Sequence, residues 1–266
     1  MNVEEFKELI SEKGRELFRP MPWRDNTDPY YVLVSELMLQ QTQVDRVIPK
    51  FEAFIDAFPD VSALAKASLG DVLRLWSGLG YNRRAKYLHS AAQMIAGEFE
   101  GTFPLEYTDI LKLPGVGPGT AGAISAYAFN KPVVFIETNV RTVYFHHFFA
   151  DGDKVADSQL VPMLERTIDK EHPREFYWAL MDYGTWLKKN GAGKITQSSH
   201  YKKQSPLAGS IRQVRGQILR ELSGGDLPLE ELKLRIDADE RFASALEGVM
   251  KDGLVSKTHS VLHLTK

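Results

Sequence analysis

The sequence contains no cysteine. Disulfides, thiolate zinc sites and iron–sulfur clusters held by cysteine are therefore excluded. No apolar run reaches membrane-spanning length, and the N-terminus is acidic and amphipathic, unlike a signal peptide. These absences lead us to expect a cytoplasmic protein with no membrane partner. An excess of positive charge is missing too: 33 Lys and Arg stand against 35 Asp and Glu, a formal net charge of −2. Nucleic-acid binders are often basic, so this balance argues weakly against such a partner. It does not exclude one, because backbone amides and a local basic face can carry phosphate contacts. No long-period repeat or low-complexity tract is visible. What is present is a chain of 266 residues, 43% hydrophobic and 26% charged. That is enough for one large or two modest domains with a real core.

The stretch from Leu111 to Ile124 organises the rest. Ile110, Leu111 and Leu113 end one helical pattern, and Pro114-Gly115-Val116-Gly117 cannot continue it. A second helix is expected to start near Pro118, since proline suits a first helical turn. A tight glycine turn ahead of a helix N-terminus points backbone N–H groups outward, a geometry that captures phosphate without a positive side chain. An isolated Gly-x-Gly is far more often an ordinary helical corner.

Val3 to Phe18 reads as an amphipathic helix carrying Phe6, Leu9, Ile10 and Leu17 on one face. Pro20-Met21-Pro22 breaks it. The next helix, from Tyr31 to about Val44, is apolar nearly all round and should be buried. Glu36 stands in its middle with no obvious basic residue one turn away. Burying a carboxylate is costly unless it is protonated or hydrogen-bonded. A raised pKa is also what a general acid or base near neutral pH requires. A narrow exposed stripe would instead make Glu36 an ordinary surface acid.

Short helices follow at Val47 to Phe58, Val61 to Lys66 and Leu69 to Leu75. Trp76-Ser77-Gly78-Leu79-Gly80-Tyr81-Asn82-Arg83-Arg84 is a glycine-rich bend into a basic helix start. Tyr81 there can stack on a base or simply pack a corner. Beyond the hairpin, Thr138 and Asn139 are expected to cap a helix. Glu137 then lies near a helix N-terminus, where the dipole favours an ionised carboxylate. Two carboxylates in different environments are the usual basis for dividing acid and charge-stabilising roles; a plain capping acid is the alternative for Glu137. Residues 188–204 carry five lysines and read as a polar linker, facing nucleic acid or merely solvated. Helices from Gly209, Leu227 and Arg241, followed by a hairpin over 253–257 and 260–264, describe a winged-helix-like module of about sixty residues.

Residues 20 to 187 resemble the catalytic core of adenine DNA glycosylases of the MutY type, in the helix-hairpin-helix superfamily that includes endonuclease III. The strings that carry the resemblance are Met-Pro-Trp-Arg at 21–24, Ser-Glu-Leu-Met-Leu-Gln-Gln-Thr-Gln-Val at 35–44, Ile48-Pro49, Leu-Trp-Ser-Gly-Leu-Gly-Tyr at 75–81, Leu-Pro-Gly-Val-Gly at 113–117 and Asn139-Val140-Arg141. The resemblance implies an all-α, two-subdomain glycosylase core over 1–187. It comprises a six-helix-barrel subdomain at about 30–130 and a second subdomain built from the N-terminal and 131–187 helices. A basic linker at 188–208 and the winged-helix-like module at 209–266 complete the chain.

The activity implied is base flipping and excision. Glu36 matches the acid that protonates the leaving adenine. Glu137 matches the group that stabilises the cationic sugar, and Asn139 supports that site. Arg24 matches an arginine lining the base pocket. Gln40 and Gln41 border the gap left by the flipped base, and Tyr81 is wedged beside the opposing purine. Gly115, Gly117, Gly119 and Thr120 would hold phosphate, helped by Arg83 and Arg84. A structural Na⁺ or K⁺ would sit on the carbonyls of Leu111, Leu113 and Val116; no cofactor is required. The partner expected is double-stranded DNA with a mismatch or lesion, bound by a monomer.

Four departures shape the expectation. Glu137 replaces the family's aspartate. Gly119 stands where relatives carry Lys, Ser or Tyr, and a lysine there would form a Schiff base and cut the strand. Its absence points to a monofunctional enzyme. The longer Glu137 is expected to use space opened at Gly119. The four cluster cysteines are absent, and the short C-terminal module stands in place of the family's Nudix-like domain, which recognises 8-oxoguanine. The module is expected to add DNA contacts rather than chemistry. The activity expected is removal of adenine from a mismatch, opposite 8-oxoguanine or guanine, in base excision repair. Removal of thymine, uracil or a damaged base, and non-catalytic binding of mismatched or damaged DNA, are the alternatives.

Overall fold

The computed structural model describes residues 1–152, 154–201, 203 and 205–265. Asp153 in the expected core, Lys202 and Gln204 in the expected linker, and Lys266 in the expected module lie outside the described residues. The described chain is helical, with one small sheet. In order it forms α1 (Val3–Glu16), α2 (Pro22–Asp25), α3 (Pro29–Leu39), α4 (Val44–Ala57), α5 (Val61–Lys66), α6 (Leu69–Trp76), α7 (Arg83–Glu98), α8 (Tyr107–Ile110), α9 (Pro118–Tyr127), α10 (Thr138–Phe148), α11 (Asp157–Thr167), α12 (Pro173–Lys189) and α13 (Ile211–Ser223). It then continues through β1 (Leu227–Pro228), α14 (Leu229–Arg235), α15 (Phe242–Lys251), β2 (Val255–Thr258) and β3 (Val261–Leu264).

Two compact units result, one of residues 1–32, 105–112 and 116–203, the other of 33–104, 113–115 and 204–266. Residues 116–130 thus belong to the first unit, whereas the sequence grouped them with the helices after residue 30. In the first unit α1 and α10 pack against α12. The reason is the apolar face of α12, where Phe176, Tyr177, Leu180 and Leu187 are buried. Gly14 of α1 makes that approach close: a Cβ there would stand 2.8 Å from the Ala179 Cβ. Phe6 adds aromatic contacts, its ring centre 5.1 Å from Tyr144 and 5.0 Å from Phe148.

The expected linker is in part anchored to this unit. Lys194 pairs with Asp151 at 2.5 Å, Gln197 Nε2 donates to the Ala150 carbonyl at 2.6 Å, and Ser198 bridges to Val155. Gln197 and Ser198 are buried, and the Gln197 Nε2 bond and the Ser198–Val155 bridge tie the stretch to backbone partners distant in sequence.

In the second unit α5 and α6 pack on α7, with Phe54, Leu64, Trp76, Leu88 and Ile95 in the core. The C-terminal segment has the expected three helices and wing, with β1 added as a third strand in the order β1-β3-β2. The pairing is antiparallel, Leu227 opposite Leu262 and Val255 opposite Leu264. Both α13 and β3 rest on α6, and Lys86 of α7 donates to the Asp252 carbonyl at 2.7 Å. The module is therefore integral to this unit.

Helix α3 is shorter than its apolar pattern suggests. It ends at Leu39, Thr42 N–H returns to the Leu39 carbonyl, and Gln41 takes φ +57°. Gln40 and Gln41 consequently lie in a turn and not on a helix.

Candidate active site

In the first unit the site is built on the N-terminus of α10. Glu137 itself is the N-cap, in place of the expected Thr138 and Asn139: its carboxylate accepts from the amides of Asn139 and Val140, the latter at 3.1 Å. Burial pushes this carboxyl above the usual range, while the two amides and the charges of Lys188 and Arg141 pull the other way. Asn139 is wedged against α12, its Nδ2 3.6 Å from Met181 Sδ. A Cβ on Gly184 would come within 2.7 Å of the Asn139 Cβ and 2.8 Å of its carbonyl oxygen, so only glycine lets α12 pass there. The Asn139 Oδ1 is buried and finds no donor among the described residues. It is an acceptor in want of a partner, which a bound hydroxyl or water can supply.

Helix α9 begins with Gly117 as N-cap and Pro118 at its first position, and no side chain caps it among the described residues. Its first-turn amides, Gly119 and Thr120 included, present the positive end of the helix. A Cβ on Gly119 would meet nothing within 4 Å. Glu137 therefore does not fill the space at Gly119; its carboxylate folds back on its own helix, which corrects the expected compensation.

Arg24 has a different task from the one expected. It is buried, and its guanidinium forms a forked pair with Asp182, Nη1 at 2.7 Å from Oδ2 and Nη2 at 3.1 Å from Oδ1. Arg19 Nε adds a third bond at 2.7 Å. This triad pins α2 to α12 and commits the fork to protein rather than to a base. Asp182→Asn leaves two arginines facing a neutral amide, one with 4% side-chain exposure. We expect a loss of about 3–5 kcal/mol, as for other broken buried pairs, read as a shift in the urea midpoint.

In the second unit Glu36 is half-buried on α3, flanked by fully buried Leu33, Val34, Leu37 and Met38. Gln40, Gln41, Tyr81, Arg83 and Arg84 come together as the lining of one cleft. Gln41 and Tyr81 both have left-handed backbones, φ +57° and +47°. Such conformations in bulky residues store strain and concentrate at functional sites. Gly115, at φ +81°, is a steric requirement, since a Cβ there would lie 2.7 Å from the Tyr87 Cβ.

Arg84 must be removed from the phosphate ligands. Its guanidinium is buried and donates to the carbonyls of Leu37 and Met38, each at 2.8 Å, to that of Gln40, and to that of Gly80 at 2.9 Å. Burial draws it down to about 10, still charged at neutral pH. It is the staple that holds the turn after α3 against the bend before α7. Arg83 is exposed and donates to the Tyr87 hydroxyl at 2.7 Å. Sequence reasoning missed Asp182, Gly184 and Lys188. The buried face of α12 flags Asp182 as a charge at an apolar position, but Lys188 had been assigned to the linker.

Comparison with known proteins places this architecture. Residues 34–161 match the family described as HhH-GPD superfamily base excision DNA repair protein. The chain is 35% identical over 262 residues to the adenine DNA glycosylase of Mycolicibacterium smegmatis, covering 90% of this chain and 89% of that one. It is 37% identical over 170 residues to that of Buchnera aphidicola, which is 64% of this chain and about half, 48%, of the relative's length. Among solved structures it is similar to a thermostable thymine-DNA glycosylase, with a TM-score of 0.64, 25% identity and coverage of 68% of this chain and 85% of that one. It also shares its fold with endonuclease III in a non-covalent DNA complex, with a TM-score of 0.56, 19% identity and coverage of 77% and 90%. The chain belongs to the HhH-GPD superfamily of base excision DNA repair proteins, among its adenine DNA glycosylases.

Proposed function

We propose that this protein is a monofunctional glycosylase that flips adenine out of mismatched duplex DNA, opposite guanine or 8-oxoguanine, and hydrolyses its glycosidic bond. The observation that carries this reading is the pair of carboxylates in contrasting settings. Glu36 sits in an otherwise uncharged helix, and Glu137 is held on a helix N-terminus beside Asn139. Glu36 supplies the proton as the C1′–N bond breaks, and the bonding pair leaves with the base. The Glu137 carboxylate stabilises the sugar cation until water adds at C1′ and yields an abasic site. Gly119 offers no amine, so no Schiff base forms there and the strand stays intact. In the first unit the amides at Gly117, Gly119 and Thr120, at the start of α9, hold phosphate; in the second, Gln40, Gln41 and Tyr81 occupy the stack beside the extruded nucleotide.

A panel of duplexes tests the proposal: adenine opposite guanine, 8-oxoguanine or cytosine, and thymine or uracil opposite guanine. We expect strand breaks only after alkali, and only where adenine is mispaired. Breaks without alkali contradict the monofunctional assignment. Breaks at thymine or uracil move the enzyme to another base, and binding without breaks makes it a lesion binder.

A further inference from the structure

The second unit contains a cleft of about 930 Å³ that the chemistry above uses only in part. Gln40, Gln41 and Tyr81 line it, and so does α13 of the C-terminal module. Six arginines contribute to its lining against one carboxylate, Asp252. Arg215 is paired with that carboxylate, and Arg83 lies 3.7 Å from it. The others have neutral partners where bonds are seen: Arg46 donates to the Gly78 carbonyl, and Arg212 donates to the Tyr81 hydroxyl at 2.7 Å and to the Ser205 carbonyl at 2.8 Å. Positive charge therefore accumulates in this cleft although the chain as a whole carries −2. A phosphate-bearing strand is the complementary partner.

Tyr81 is the centre of the arrangement. The residue is 39% exposed on a left-handed corner, and the Cζ atoms of Arg84 and Arg212 lie 5.5 and 5.7 Å from the ring centre. A ring that stacks on a base must have its plane set in advance. The bond from Arg212 to the hydroxyl sets it from the far end of the side chain. A guanidinium has five N–H donors, and the bonds to Tyr81 and Ser205 leave donors for a phosphate oxygen.

We propose that Arg212 is a specificity-determining positioning residue: it fixes the Tyr81 ring and holds the phosphate of the nucleotide on which that ring stacks, opposite the excised base. The C-terminal module then acts inside the reading cleft, through one side chain, and not only as an added anchor. This rests on the proposed adenine excision, and the test separates the two.

Full-length Arg212→Ala, Arg212→Lys, Tyr81→Phe and the double variant Arg212→Ala/Tyr81→Phe are compared with the parent. The discrimination ratio is the single-turnover rate for adenine opposite 8-oxoguanine divided by that opposite cytosine. Arg212→Ala should lower this ratio by about tenfold, as expected for loss of one charged hydrogen bond. It should also reduce the slope of log affinity against log salt by about one. Arg212→Lys keeps the charge without the fork, so it should keep the slope and lose the discrimination. Tyr81→Phe should lower the ratio, and the double variant should fall no further than the worse single variant. An unchanged ratio and slope in Arg212→Ala overturns the proposal. So does uniformly slower excision on every duplex with lower thermal stability, the signature of a structural arginine. The slope comes from binding alone. If the parent excises nothing, the functional reading fails, and an unchanged slope still overturns the contact to phosphate.

Discussion

Glu36→Gln is expected to slow single-turnover excision by about 10²–10⁴-fold, the usual worth of a general acid, while affinity for the same duplex stays within a few-fold. Glutamine keeps the length and planarity of the side chain but has no proton of suitable acidity to give. Stability should change little, because Glu36 is half-buried and glutamine matches its size and shape. Slow excision with intact binding and an intact thermal transition identifies a catalytic acid. A variant that cleaves at the parental rate makes Glu36 structural.

Glu137→Gln should cost about 10²–10³-fold in the same assay, the scale of a lost electrostatic stabiliser. The competing role is a cap, and Glu137 does cap α10. Stability separates the two. The folded state raises this carboxyl's pKa, so it binds the proton more tightly than the unfolded chain does. Its contribution to stability is fully present below the ordinary glutamate range and is lost as pH rises through the elevated folded value. Where it is ionised, the side chain is therefore a burden that glutamine relieves, while its amide oxygen still accepts from Asn139 and Val140. Melting should be unchanged or higher in Glu137→Gln although excision has collapsed. A pure cap predicts the reverse, near-parental excision with a loss of about 1 kcal/mol. Parental activity itself should fall as pH drops through the Glu137 pKa, because only the ionised form stabilises a cation. Glu137→Asp should lose activity as well, since Asp holds its charge about one C–C bond closer to the backbone.

What could be read from the sequence was what local chemistry dictates. Proline and glycine marked the turn at 114–117, the bend at 77–80 and the wing, and apolar periodicity found the helices. The end of α3 was missed because Gln40-Gln41 contains no helix breaker; the left-handed Gln41 is imposed by tertiary bonds from Arg84 to the carbonyls around it. For the same reason Arg84 looked like a phosphate ligand: its acceptors lie at 37–40 and 79–80, where no local pattern points. The pairs Arg24–Asp182 and Tyr81–Arg212 are 158 and 131 residues apart and exist only in the fold. Glu36 and Glu137 were identifiable as candidates because each stood where its residue type was locally expensive or locally useful, whereas Asn139 entered only through the family resemblance. The displacement of Arg24 from base to scaffold shows the limit of carrying a role over by position alone.

The most direct test is to identify the released base. A duplex with adenine opposite 8-oxoguanine is incubated with excess full-length protein, and free bases are separated and quantified against abasic sites formed in the same samples. The account predicts free adenine in one-to-one yield with alkali-labile sites, no strand scission before alkali, and neither product from Glu36→Gln or Glu137→Gln over the same period. Abasic sites without free adenine, or free adenine at the parental rate from both variants, would contradict it.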